Sequence, residues 1–320
     1  MSNKIQIEVS HEEKSPIRLD SWLAQKLEFP SRTRIKNLIE QGRVLLNGKP
    51  AKPSAQVKPG DKIEVTIPPA VPARPAPEAI PLKILYEDQD LIVIDKPAGL
   101  LTHPVPGKTT GTLVNALLHH CRDLSGIGGE LKPGIVHRLD KLTSGVMVSA
   151  KTELAHLNLA EQFSRHSIER AYLALVWGKP DQNSGRIESR ISRNPGHRLK
   201  MTGRRGQGRI AVTEWKVVKR FRHFSLMECR LHTGRTHQIR VHLTEMGFPL
   251  VGDALYGKGR NLSEKIAPEI RAAIKDLNRQ ALHAFRLGFI HPATGKWLRF
   301  NSPLPEEISS LLKLLEKSDQ

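Results

Sequence analysis

Two cysteines in 320 residues, Cys121 and Cys229, are too few and too far apart for a disulfide framework or a paired Cys-x-x-Cys clamp. They read as reduced thiols of a cytoplasmic protein. No apolar run approaches the length that spans a bilayer, and residues 1–9 alternate like a strand and lack a signal-peptide core. With no lipidation signal and no strongly amphipathic basic helix at a terminus, a membrane partner is not expected. H-E-x-x-H, the P-loop and a G-x-G-x-x-G after a strand are all missing, so neither a metal nor a bound nucleotide cofactor is expected. Most of the 14 histidines stand alone, and His119-His120 and His237 with His242 read as RNA-facing or structural groups.

Acid is also in short supply. Asp and Glu total 32 against 50 Lys and Arg, for a net charge of +18, and the isoelectric point is about 10.1. Such an excess favours a polyanionic partner, with nucleic acid the first candidate. Hydrophobic content of 38% suits a globular chain, and the length allows two domains.

Residues 16–67 read as a compact module. Ser15-Pro16 signals a helix start, and Leu19, Trp22, Leu23 and Leu27 follow at helical spacing. A second helix is signalled by Ser31 as cap, by Ile35, Leu38 and Ile39 on one face and by Gly42 as the stop. Asn47-Gly48 between Val44-Leu45-Leu46 and Lys49 marks a hairpin, and residues 62–67 alternate as a strand. Arg32, Arg34 and Lys36 gather at the start of the second helix, with Lys49 beside the hairpin. A helix N-terminus carrying cations is a phosphate site; the plainer reading is a solvated face. The run from Arg18-Leu19-Asp20 through Ser31-Arg32-Thr33-Arg34-Ile35-Lys36 to Asn47-Gly48-Lys49 resembles the S-four-like RNA-binding domain, which implies recognition of structured RNA through shape and backbone.

Six prolines between 68 and 81 predict a semi-rigid extended linker over 68–81. Beyond it, a domain over 82–320 shows strand patterns at 83–87, 91–95, 146–148, 168–177, 211–220 and 224–231, and helical ones at 112–121, 153–165 and near 238–246. Residues 190–209 read as a basic loop and 258–280 as an excursion with one helix at 270–277. Strands outnumber helices without alternating with them, so the fold class is α+β: a mixed, largely antiparallel sheet with peripheral helices.

Within this domain Gly134-Ile135-Val136-His137-Arg138-Leu139-Asp140-Lys141-Leu142-Thr143-Ser144-Gly145 sets one carboxylate between two cations. Taken alone, Asp140 reads as a brace for the turn beside Thr143 and Ser144. Three further runs accompany it: Asp95-Lys96-Pro97-Ala98-Gly99-Leu100, Arg170-Ala171-Tyr172-Leu173-Ala174-Leu175, and His232-Thr233-Gly234-Arg235-Thr236-His237-Gln238-Ile239-Arg240. In this order, behind an RNA-binding module, they resemble the pseudouridine synthases of the RluA type, in a layout closest to the RluD-like members. Gly252-Asp253-Ala254-Leu255-Tyr256-Gly257 and Arg279-Gln280-Ala281-Leu282-His283-Ala284 are lesser matches.

The resemblance implies isomerisation of uridine to pseudouridine in large-subunit ribosomal RNA or an assembly intermediate, by a monomer that uses no cofactor. It implies Asp140 as the catalytic carboxylate, Arg235 as its ion-pair partner and Tyr172 as a stacking residue against the base. It implies further that Arg138 fills the stack vacated by the flipped uridine, that Ile239 lines the base pocket, and that Lys96 and Arg240 meet the RNA backbone. A tRNA-directed synthase and a non-catalytic RNA-binding assembly factor are the alternatives. A hydrolase or glycosylase would need a second acid or a metal set, and none accompanies these motifs.

Overall fold

The computed structural model describes residues 3–10, 16–27, 32–67, 75–105, 107–121, 124, 133–204, 206–257 and 266–319. Two units divide the chain, Met1–Ala73 and Arg74–Gln320.

The first unit contains β1 (Asn3–Glu8), β2 (Ile17–Arg18), α1 (Leu19–Lys26), α2 (Arg32–Glu40), β3 (Val44–Leu46), β4 (Lys49–Pro50), β5 (Gln56–Val57) and β6 (Lys62–Ile67). A four-stranded sheet runs β1-β6-β3-β4, and β2 pairs with β5. Leu19, Trp22 and Leu23 of α1 and Ile35, Leu38 and Ile39 of α2 bury one face of each helix against Val44, Ile63 and Val65, as the helical and period-2 spacings require. Asn47 and Gly48 both take positive φ, 52° and 75°, the turn expected of that dipeptide.

Two expectations change here. The first helix begins at Leu19, because Ile17 and Arg18 are extended and hydrogen-bond to β5. Residues 3–8 also join the module by pairing along β6, so it reaches further N-terminal than residue 16. The caps expected at Ser15 and Ser31 lie outside the described residues.

The second unit holds β7 (Ile84–Glu87), β8 (Leu91–Lys96), α3 (Leu113–His120), β9 (Ser144–Ala150), α4 (Glu153–Ser164), β10 (Glu169–Trp177), β11 (Ser184–Arg193), β12 (Met201–Thr202), β13 (Arg209–Arg220), β14 (Phe224–Leu231), α5 (Gln238–Glu245), α6 (Pro268–Asp276), β15 (Leu282–Ile290), β16 (Trp297–Asn301) and α7 (Glu306–Ser318). The sheet order is β12-β11-β13-β14-β10-β15-β9-β8-β7, with β16 on β15. Among the described residues its ladders are antiparallel except β9 with β15, where Ser144 faces His283 and Gly145 faces Ala284. Gly145 has φ +123°, and a Cβ there would overlap the Ala284 carbonyl. That close crossing seats the segment leading out of Asp140 against the middle of the sheet. No described helix is long and apolar enough to cross a membrane.

The basic stretch 190–209 is less of a loop than expected. β11 runs through Arg193, and β12 pairs back onto it, since alternating exposure lets polar residues occupy a strand with one wet face. The expected linker is also partly anchored: Asn115 Nδ2 donates to the Ala76 carbonyl (2.7 Å), and the Gly111 amide donates to Glu78 (3.0 Å). Residues 75–81 thus belong to the second unit. C-terminal α7 lies beyond the expected elements, although Ile308, Leu311, Leu312 and Leu315 recur at helical spacing; it buries them in one cluster with Ile270 and Ile274 of α6.

Candidate active site

Asp140 lies between α3 and β9 in a segment without regular structure, and its neighbours hold it by the backbone. Thr102 Oγ1 donates to the Leu139 carbonyl (3.0 Å), and the Gly99 amide donates to that of Lys141 (2.8 Å). The Thr143 amide closes the turn onto the Asp140 carbonyl (3.0 Å). With its backbone carbonyls taken, the Asp140 carboxylate points at the start of α5. One oxygen accepts from Arg240 Nη1 at 3.0 Å, and His237 Nε2 stands 3.9 Å away.

Arg240 is itself fixed from behind. Its Nε and Nη2 make a two-point contact with the buried Asp253 carboxylate (2.8 and 3.0 Å), and its guanidinium stacks on Tyr256 at 4.9 Å. Asp253 also accepts from the Leu255 and Tyr256 amides, both at 3.0 Å. Burial alone would lower the Arg240 pKa, but Asp253 and then Asp140 reverse that and raise it. The fork therefore reaches Asp140 in one direction only, which is what a rigid planar donor held by a second carboxylate provides. The turn before α5 is bolted to β13: Gln238 Nε2 donates to the Val212 carbonyl and to Thr213 Oγ1 (2.9 Å each), and its Oε1 accepts from Thr233 (2.7 Å). His237 caps α5 with φ 58° and hydrogen-bonds Tyr256 through Nδ1 at 2.9 Å.

Asp140, Arg240 and His237 open onto a cleft of about 560 Å³ whose walls also include Arg138, Tyr172, Arg170, Arg235, Ile239 and Phe163. Asp140 is its one carboxylate among the described lining residues, against four arginines, Arg138, Arg170, Arg235 and Arg240. Tyr172 enters from β10 where the ladder with β15 shifts register between Ala171 and Leu173, a device that re-aims a strand side chain. Burial pushes its phenol up to about 12, with Arg170 opposing and Asp140 reinforcing, so it keeps its proton at neutral pH. Outside the cleft, Glu87–His120–Cys121 and Asp88–Asp90–His291 each bring metal-ligand types within 4.8 Å. Their carboxylates are already engaged, Glu87 by Lys151 and His120, and Asp88 by Tyr86 and His291.

Residues 90–245 match the family model described as RNA pseudouridylate synthase, and residues 17–63 match the S4 domain. The chain is 44% identical over 316 residues to the uncharacterized RNA pseudouridine synthase YlyB of Bacillus subtilis, covering 99% of each. It is 44% identical over 308 residues to ribosomal large subunit pseudouridine synthase D of Zymomonas mobilis, covering 95% of each. The chain belongs to the RNA pseudouridylate synthase family. Among solved structures, human RNA pseudouridylate synthase domain containing 4 is similar with a TM-score of 0.56 and 27% identity, over 73% of this chain and 93% of that one.

Within this pseudouridine synthase, Asp140, Tyr172, Arg138, Ile239 and Arg235 are brought to one cleft. Three expected pairings are corrected. Arg235 does not partner Asp140: its Nε donates to the Ile210 carbonyl (2.9 Å), while Arg240 takes the carboxylate. Helical geometry gives the reason, since Arg235 lies in the turn before α5 and Arg240 on its first turn. Arg240, expected on the RNA backbone, is 7% exposed and occupied by two carboxylates. Lys96, likewise expected to meet RNA, is wholly buried, and its ammonium donates to the carbonyls of Pro97 (2.8 Å), Leu100 (2.9 Å) and Lys141 (3.3 Å). It stiffens the loop that carries Asp140. Asp253, Tyr256 and His237 complete the site beyond the residues to which the motifs point; the run 252–257 carries that signal without naming its partner. In the S4 unit, Lys36 stands 3.6 Å from Glu40 and Lys49 is exposed on the hairpin. The side chains of Arg32 and Arg34 lie outside the described ones.

His137 gives the synthase a pH-dependent stability. Its Nε2 accepts the Val148 amide (3.1 Å) and its ring stacks on Phe163 at 4.5 Å, an arrangement that needs neutral imidazole. Burial, with Arg170 adding to it, pulls its pKa down to about 3. Between about pH 6.5, the unfolded value, and that folded value, the unfolded chain takes up a proton that the folded one refuses, so stability falls as pH falls. By pH 5 the loss from this group is about 2 kcal/mol. Urea unfolding should show wild-type stability dropping below pH 6 by roughly 1.4 kcal/mol per unit more than in His137→Gln. Equal slopes in the two proteins would contradict the assignment.

Proposed function

We propose that this enzyme converts uridines of large-subunit ribosomal RNA to pseudouridine, with Asp140 as the catalytic carboxylate and with no cofactor. One observation carries the reading: a carboxylate, single among the described lining residues and aimed by a doubly anchored arginine, shares its cleft with three further arginines. The isomerisation breaks the N1–C1′ bond and forms a C5–C1′ bond; N1 gains a proton and C5 loses one. No electrons or groups are exchanged with a second substrate, so one carboxylate and its positioning groups suffice. A hydrolase would need a second acid or a metal to activate water.

In this reading Asp140 acts on the target nucleotide, either as nucleophile on the sugar or base or as the base that takes a ribose proton. Tyr172 packs against the extruded uracil and stays protonated. Ile239 forms the apolar wall of the base site, and Arg138, exposed at the rim, replaces the uridine in the RNA stack. Extrusion costs about a few kcal/mol, which such a contact offsets in part. The target class follows the relatives named ribosomal large subunit pseudouridine synthase D from Zymomonas mobilis and Neisseria meningitidis, the latter 45% identical over 300 residues. The enzyme works as a cytoplasmic monomer.

Carbodiimide mapping tests the reading. In ribosomal RNA from a deletion strain, sites missing without the gene should return with the wild type and stay absent with Asp140→Asn. If every large-subunit site persists in the deletion strain, the target is another RNA, with tRNA mapped next. A second expectation concerns the S4 unit, where Arg32, Arg34 and Lys36 supply affinity to the RNA backbone. Neutralising all three should weaken binding and reduce the slope of log affinity against log salt by roughly 0.7–0.9 for each phosphate left without its cation. An unchanged slope would count against an RNA-facing role.

A further inference from the structure

The cleft holds more positive charge than its catalytic pair balances. Arg240 is matched by Asp140 and Asp253, whereas Arg170 and Arg235 pair with no carboxylate among the described residues. Arg170 is the more unusual of the two. It comes from β10, two residues before Tyr172, and is only 8% exposed although it lines the cleft. Its Nη2 reaches the carbonyls of Leu231 (3.3 Å) and His232 (3.2 Å), and its guanidinium lies over Phe163 at 5.6 Å. Its Nε–H is buried without any acceptor.

A buried guanidinium with an unmet donor and no counter-ion is disfavoured in the free protein. The Leu231 and His232 carbonyls and the nearby Tyr172 relieve it only in part. Burial lowers the Arg170 pKa, Tyr172 opposes that, and Arg235 is close enough to lower it further; His166 on the same wall is lowered by burial and then by both arginines. The turn ahead of α5 comes so near that a Cβ on Gly234 would lie 2.9 Å from Arg170 Nη1. The backbone is thus shaped around a side chain that lines the cleft with no carboxylate paired to it among the described residues.

We propose that Arg170 and Arg235 form a clamp for one phosphodiester of the RNA strand, the one adjoining the uridine extruded toward Asp140. A guanidinium fork matches two phosphate oxygens, and phosphate is the anion that an RNA strand carries into the cleft. The clamp rests on the reading of this cleft as a uridine-isomerising site. It sets the position of the sugar relative to Asp140, and its charge stays unpaired until RNA arrives. Arg170 and Arg235 are binding residues, while the chemistry belongs to Asp140.

The test uses the full chain, with ribosomal RNA from the deletion strain as probe. Filter binding is measured in the Asp140→Asn background for Arg170→Gln, Arg170→Lys and Arg235→Gln over a range of salt. Arg170→Gln should weaken binding by about tenfold or more and lower the salt slope by roughly 0.7–0.9. Arg170→Lys, which keeps charge without the fork, should fall between it and the parent. The thermal midpoint of Arg170→Gln should be unchanged or higher, because an unpaired buried cation has been removed. Unchanged affinity and slope would overturn the clamp, as would a lowered midpoint in Arg170→Gln with affinity intact in Arg235→Gln. Release of tritium from C5-labelled uridine by the wild type is read separately. Its absence would defeat the isomerase reading, while the binding series still decides whether these arginines hold phosphate.

Discussion

Asp140→Asn yields a folded protein that still binds RNA and isomerises no uridine, with turnover reduced at least about 10⁴-fold. The expectation follows from how the site is supported. The Asp140 backbone is held by Thr102, Gly99 and Thr143, none of which depends on its carboxylate. Arg240 keeps its two-point contact with Asp253, so the mutation leaves no buried cation stranded. The amide matches the carboxylate in size but can neither attack carbon nor accept a proton usefully. Tritium release from labelled RNA, together with filter binding, checks both halves. Activity within tenfold of wild type would remove Asp140 from the chemistry, and loss of binding would show that it holds RNA instead.

Arg240→Leu costs both activity and stability. Asp253 has 1% of its side chain exposed, and without Arg240 it retains the Leu255 and Tyr256 amides and no cation. Removing one partner of a buried ion pair destabilises by about 3–5 kcal/mol, a large part of the roughly 5–15 kcal/mol that a domain has. The double variant Arg240→Leu/Asp253→Leu should recover part of that loss because no charge is left buried. Its activity should stay low, since Asp140 then has nothing to aim it. Urea unfolding of wild type, Arg240→Leu, Asp253→Leu and the double variant measures the coupling. A loss below about 1 kcal/mol in Arg240→Leu would mean that water replaces the guanidinium. The same substitution at Arg235, which bonds only a carbonyl near the surface, should leave stability nearly unchanged.

The amino-acid sequence by itself determined the local architecture. Leu19, Trp22, Ile35, Leu38, Asn47-Gly48 and the period-2 run at 62–67 define the small unit because helix and strand faces repeat at fixed short intervals. The ordered motifs around Asp140, Tyr172 and Arg235 likewise mark which segments meet at one cleft. Residues whose role depends on distant partners are not legible in the same way. Which of two arginines five positions apart faces Asp140 depends on where α5 starts and on Asp253, 13 residues further along, standing behind it. Lys96 reads as a surface cation, because charge in a sequence says nothing about the carbonyls that a folded loop will turn toward it. The segment 134–145 shows the same division. Its single acid between two cations could brace a turn; tertiary structure chose for it a partner from outside the segment, one hundred residues away. Short-range periodicity is written into neighbouring residues, whereas an ion pair between segments far apart in the chain is settled only when packing fixes distance, direction and burial together.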